Sequence, residues 1–151
     1  MTLAIGHREK EITIVDLVRE IVAPFDPESA TEEFAGTLKG YNITRVIGDR
    51  YAGEWVRQSF EKRSITYTAS ELPKSGLYVD FLPKLNSKTI RLVNNARLVN
   101  QIAALERRTS RGGKDSIDHP PQGHDDLANV VAGVAHVAIN RHSASSEPLR
   151  I

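Results

Sequence analysis

The spacing of apolar and polar positions along this chain changes several times, and each change marks an element. Thr2 to Gly6 is a short apolar run. Glu11 to Val18 is a longer one rich in Ile and Val, with polar His7-Arg-Glu-Lys10 between them. This pattern predicts two strands in a hairpin. Pro24 stops the extended run, and Asp26-Pro27 reads as an N-cap followed by proline at the first helical position. Ala30, Phe34 and Leu38 then recur at helical spacing up to Gly40. Ile43 to Gly48 reads as a buried strand with Asp49 just past its end. Ala52, Trp55, Val56 and Phe60 form the next helical stripe, and Ser64 to Ala69 alternates as a strand. A hairpin followed by helix, strand, helix, strand predicts a mixed sheet with covering helices.

The second half is predicted to be mainly helical. Leu77, Phe81, Leu82 and Leu85 mark one helix, which Pro83 is expected to kink or shorten. Thr89 to Val93 has the make-up of a short edge strand. Asn94 or Asn95 caps a further helix carrying Leu98, Ile102 and Leu105 and ending in Glu106-Arg107-Arg108. Ser110 to Gly123 is a long Gly/Pro/Asp loop. Leu127, Val130, Val131, Val134 and Ala138 make the apolar face of a last helix. The expected organisation is one domain over residues 1–139 and a polar, disordered tail over 140–151.

Composition narrows this picture. A chain of 151 residues is about one domain and can bury a core. The formal net charge of +1 favours no polyanionic partner by itself, so local charge has to decide. There is no cysteine, which excludes disulfides and thiolate zinc sites. No apolar run reaches the roughly 20 residues needed to span a bilayer, and the N-terminus does not resemble a signal peptide. A cytoplasmic protein without a membrane partner is expected.

The candidate chemistry sits late in the chain. Asp115, Asp118, His119 and Asp125 lie in the Gly/Pro loop, and Asp126 opens the last helix. Carboxylates at a loop-to-helix junction suit Mg²⁺ or Mn²⁺, which prefer hard oxygen ligands. Asp49, at the carboxyl end of a strand, is where ligands gather in α/β sheets. The competing reading makes Asp49 an N-cap for the helix near Ala52, and the acidic loop a solvated N-cap region. Asp126, Asn129, Gly133 and His136 form a polar stripe apart from the apolar face, so Asp126 and Asn129 can address one ion. Asp125 lies about 100° round the helix from Asp126, so only one of the two is expected as a ligand. Arg107, Arg108, Arg111 and Lys114 precede the acidic residues, and a basic loop beside a metal suits a phosphodiester. Lys74-Ser75 is either a phosphate contact or a helix start. There is no G-x-x-x-x-G-K-[ST] loop and no G-x-S-x-G elbow.

Three strings together carry a resemblance. They are Gly48-Asp-Arg-Tyr-Ala-Gly-Glu-Trp55, Leu105-Glu-Arg-Arg-Thr109 with Gly112-Gly113-Lys114-Asp115, and Asp118-His119-Pro-Pro-Gln-Gly-His-Asp-Asp-Leu-Ala-Asn129. In this order they resemble the C-terminal nuclease domain of tailed-phage terminase large subunits, from about residue 2 to about residue 138. The resemblance implies a ribonuclease-H-like α/β fold and metal-dependent cleavage of double-stranded DNA during packaging in the bacterial host cytoplasm. The rest of a terminase (ATPase domain, small subunit and portal) would supply the partners. By position, Asp49 matches the acidic residue after the fourth strand, and Asp125-Asp126 match the acidic residue opening the final helix. The same strings count against a resolvase or transposase relative.

The chain also departs from that family. Met1-Thr-Leu-Ala-Ile-Gly-His7 looks like the family's second strand. The central first strand, its catalytic aspartate and the upstream ATPase are therefore expected to be missing. A two-metal arrangement without that aspartate would cleave poorly. The alternative is a non-catalytic remnant that only binds DNA or a partner.

Overall fold

The computed structural model describes residues 1–50, 53–109 and 115–140. Strands β1 (Thr2–Glu9) and β2 (Ile12–Glu20) pair antiparallel, as the alternation predicts. Both run further than the apolar segments do, so the turn is reduced to Lys10 and Glu11, with Lys10 in the left-handed region at φ 53°. The register slips between Ile5 and Gly6. A side chain at Gly6 would lie 2.6 Å from both the Ile14 carbonyl and Val134, so glycine lets the hairpin close onto the last helix.

Helix α1 (Pro27–Gly40) starts as expected: Asp26 accepts from the Ser29 amide at 2.8 Å and Pro27 occupies the first turn. It ends at Gly40, and the left-handed residue beyond it is Asn42 at φ 57°. Strand β3 (Arg45–Gly48), helix α2 (Glu54–Glu61) and strand β4 (Thr66–Ala69) follow, with β3 and β4 parallel. Helix α3 (Lys74–Asn86) runs through Pro83 rather than ending there. The proline falls in the last turn, close to the helix end, and the chain leaves the helix three residues later. Strand β5 (Ile90–Arg91) adds in parallel to β2, and Asn95 caps helix α4 (Ala96–Ala103) by accepting from the Leu98 amide at 3.0 Å.

One segment differs from expectation. Glu106–Thr109 is not the end of a helix but strand β6, and Asp115–Asp118, expected in a loop, is strand β7 paired antiparallel to it. The reason is Ile117, the buried residue of β7, which anchors this ribbon on the main core while the arginines of β6 stay in solvent. Helix α5 (Asp126–Asn140) closes the domain. The tail beyond residue 140 lies outside the described residues.

Two cores flank β1. Ala4 faces one built from α3, α4 and α5, centred on Tyr78, Phe81, Leu98, Leu127 and Val131. Leu3 and Ile5 face the other, where Phe34, Leu38, Ile43, Val46, Phe60 and Ile65 meet. Burial on both faces explains why the start of β1 reads as a continuous apolar run. The strands do not form one continuous sheet. They form the separate groups β1-β2-β5, β3-β4 and β6-β7. Among the described residues no strand lies between β1 and β3.

Candidate metal centre and nucleic-acid interface

A cleft of about 670 Å³ opens between β1 and β3, and the site is built at its walls. Asp49 follows β3 directly. Its carbonyl accepts the Tyr67 hydroxyl at 3.0 Å, and the Ser70 amide donates to the Gly48 carbonyl at 2.8 Å. A Cβ at Gly48 would stand 2.1 Å from that hydroxyl, so any side chain there would displace the Tyr67 ring. Burial, with the Asp49 charge adding to it, pushes the Tyr67 phenol up to about 12, so it remains a donor. Asp49 does not cap α2. The N-cap is Gly53, without a side-chain bond.

The other wall is α5. Asp126, Asn129 and His136 line the same cleft as Asp49. The first turn of α5 is capped from a distance: the Gln101 side-chain oxygen accepts the amides of Leu127 at 2.8 Å and Ala128 at 3.1 Å. Capping by Gln101 leaves the acidic side chains at the helix start available for other work. Thr2 donates to the Asp126 carbonyl at 3.3 Å, tying the head of β1 to this end of the cleft. The Asp126 residue is exposed, and its carboxylate accepts no hydrogen bond among the described residues. The Asn129 side-chain oxygen is fully buried and has no hydrogen-bond partner among the described residues. An orphaned oxygen of this kind is costly unless something electropositive meets it.

Asp125, one residue earlier, is in a different situation. It is 7% exposed. Its carboxylate accepts the Tyr78 hydroxyl at 2.8 Å and faces the Lys74 ammonium at 3.2 Å. Lys74 also reaches Asp118 at 2.5 Å. Burial opposes the charge on Lys74, but its bonds to Asp118 and Asp125 outweigh that and raise its pKa. The Lys74 bond in turn holds Asp118 below the ordinary carboxylate range. Burial and the bond to Asp125 keep the Tyr78 phenol protonated. Asp118, His119 and Asp125 have ligand atoms within 4.8 Å of one another. That geometry would suit a metal, yet the ammonium already holds two of its members. Asp125 does not line the cleft that holds Asp49, Asp126 and Asn129.

Lys74 is thus an internal counter-ion at the start of α3, and Ser75 accepts the Ile117 amide at 3.0 Å. Neither role shows in the sequence, where Lys74-Ser75 reads as a phosphate contact or a helix start. Gln101 and Tyr78 carry no sequence signal either, since both sit within ordinary amphipathic stretches. His136 pairs with Asp80 at 2.6 Å. Of the expected DNA contacts, Arg107 and Arg108 are exposed on β6, and Arg108 pairs with Glu106 at 2.7 Å. Arg111 and Lys114 lie outside the described residues. Among the described residues no helix is long and apolar enough to cross a membrane.

No family model and no curated protein matches this sequence. Solved structures do match. The large terminase nuclease of thermophilic phage G20c with bound cobalt aligns with TM-score 0.70 and 12% identity, over 89% of this chain and 81% of that chain. The same nuclease with bound magnesium gives 0.69. The Thermus phage P74-26 large terminase nuclease domain gives 0.62 and 11% identity, over 90% and 78% of the two chains. The chain has a large-terminase-nuclease fold. That architecture is ribonuclease-H-like, as the three sequence strings led one to expect. At 11–12% identity the likeness establishes the fold, and chemistry has to be argued from this chain's own residues.

Proposed function

We propose that this chain is the metal-dependent, DNA-cleaving nuclease domain of a phage packaging terminase large subunit. It acts on double-stranded DNA in the bacterial host cytoplasm, beside the ATPase domain, small subunit and portal of a terminase. One observation carries the reading: Asp49, Asp126 and Asn129, whose buried side-chain oxygen has no hydrogen-bond partner among the described residues, line one cleft of a terminase-nuclease fold.

The donor set fits a hard divalent ion, with two carboxylates and an amide oxygen that lacks a partner. Asp49, Asp126 and Asn129 would hold Mg²⁺ or Mn²⁺. Bound there, the ion would acidify a water and stabilise the leaving phosphodiester oxygen. The chain's own residues supply the rest. Tyr67 and Ser70 hold the backbone that presents Asp49. Gln101 holds the first turn of α5 so that Asp126 and Asn129 share a face. Asp125 is withdrawn from ligation by Tyr78 and Lys74. Arg107 and Arg108 would attract the DNA backbone without reading its sequence.

Two carboxylates in the cleft suffice for one ion and fall short of a bridged pair, so we expect weak cleavage by the chain alone. The test is Mn²⁺-dependent nicking of supercoiled plasmid together with Mn²⁺ binding by electron paramagnetic resonance. Saturable binding lost in Asp126→Asn, with nicking slow but abolished in the same variant, supports the reading. Binding without any nicking would favour the non-catalytic remnant. No binding at millimolar Mn²⁺ would refute the metal site.

A further inference from the structure

Lys74 belongs to two places at once. Its ammonium donates to Asp118 at 2.5 Å and faces Asp125 at 3.2 Å, inside the group of ligand-like atoms set apart from the cleft. Lys74 nevertheless lines the cleft itself, together with Asp49, Asp126 and Asn129. Its side chain is 34% exposed, so the charge is held and still reachable. An ammonium has three N–H donors. Asp118 and Asp125 take two, and no third acceptor meets it among the described residues.

The ammonium is fixed from three elements. Asp125, at the start of α5, is 7% exposed and also accepts the Tyr78 hydroxyl at 2.8 Å. Asp118 ends β7, and the neighbouring Ile117 amide donates to the Ser75 hydroxyl at 3.0 Å. Lys74 itself opens α3. A surface lysine would have to be ordered before it could meet an anion, whereas this one is ordered already. Asp125 and Asp126 are consecutive, so the ammonium and an ion on Asp126 would be held by adjacent residues.

Hydrolysis of a phosphodiester builds negative charge around phosphorus. Two-ion sites meet it with a pair of cations about 4 Å apart. In this chain Asp49, Asp126 and Asn129 offer donors for one ion, and Asp118, His119 and Asp125, whose geometry would suit another, hold an ammonium instead. We propose that Lys74 is a catalytic residue, its ammonium standing in the place of a second metal ion and meeting the charge on the scissile phosphate. The inference rests on the metal reading of the cleft. No proton has to leave Lys74. The water oxygen bonds to phosphorus and its proton passes to solvent, while the bond from phosphorus to the leaving oxygen breaks and that oxygen takes a proton from solvent.

A lysine that only pinned α3 to β7 and α5 would affect stability alone, so the test reads ions and chemistry together. Mn²⁺ is titrated into the parent and into Lys74→Met. Bound ions are counted by electron paramagnetic resonance, nicking of supercoiled plasmid is followed in parallel, and thermal melts confirm folding. With one site filled, Lys74→Met should nick at least about 100-fold more slowly than the parent, the usual cost of one preorganised charge partner. At higher Mn²⁺ a second ion should bind and nicking should recover, with a Hill coefficient near two against one in the parent. Adding Asp118→Asn should remove both the second ion and the recovery. Lys74→Gln keeps two N–H donors for the carboxylates without the charge, and should nick as slowly as Lys74→Met at low Mn²⁺. The inference is overturned if either folded variant nicks like the parent there, or if nicking falls and no second ion binds to Lys74→Met. A parent that neither binds Mn²⁺ nor nicks would overturn the metal reading itself, and the inference with it.

Discussion

Asp125 and Asp126 are consecutive, identical and placed at the start of the same helix, and they live in opposite environments. Asp125 is buried against Tyr78 and Lys74, inside a group of ligand-like atoms that already has its cation. Asp126 opens onto a cleft it lines with Asp49 and Asn129, whose side-chain oxygen has no donor among the described residues. The difference comes from the 100° step between neighbours on a helix, which sends one carboxylate into the interface with α3 and the other away from it. Proximity of acidic groups is therefore a poor guide to a metal site. The tighter cluster is the one the protein has closed with its own ammonium, and the looser one holds an amide oxygen with no partner among the described residues.

Removing each partner should separate the two roles. Asp125→Ala leaves a buried hydroxyl and an ammonium short of a partner, and should cost about 2–4 kcal/mol in urea unfolding. Asp126→Ala should cost no more than about 1 kcal/mol, the worth of a carboxylate in a helix first turn. Equal losses would erase the distinction. Mn²⁺ affinity should behave in the reverse way, falling at least about tenfold in Asp126→Asn and little in a folded Asp125→Asn.

The closed cluster can also be opened. Lys74→Met removes the internal cation and leaves Asp118, His119 and Asp125 in ligand geometry, so Mn²⁺ stoichiometry should rise from one to two. Asn129→Leu removes the orphaned oxygen from the open site. It should leave stability unchanged or raise it by up to about 1 kcal/mol, the opposite direction from Asp125→Ala.

The smallest effect is a pH dependence. Lys74 holds the folded-state pKa of Asp118 below its unfolded value. The resulting stability is fully present above the unfolded pKa and is lost as pH falls through the folded one. Asp118→Asn should thus be less stable than the parent at pH 6, and the gap should close in acid. Solvent screens this partly exposed pair, so the gap should stay under about 1 kcal/mol. A gap that persists at the acid end would assign the effect to packing.

The sequence carried the parts of this account that follow local rules. Asp26-Pro27 and the Asn94-Asn95 pair mark helix starts because capping is decided within four residues, and the α5 stripe separates Asp126 and Asn129 from the apolar face by simple periodicity. The β6–β7 ribbon was not legible, because its strand character comes from Ile117 packing on a distant core rather than from its own alternation. Nor were Gln101, Tyr78 and Lys74, whose importance lies in reaching the start of α5 from α4 and α3. That Asp125 is the buried, paired one of the two follows from Tyr78 and Lys74, which the loop sequence alone does not bring to it.

The most direct test is a crystal structure of the chain soaked in Mn²⁺, with the ion located by anomalous scattering. The expected result is a peak in the cleft within bonding distance of Asp126, with Asp49 and the Asn129 oxygen around it and Lys74 still bound to Asp118 and Asp125. A peak among Asp118, His119 and Asp125 with Lys74 displaced would contradict it.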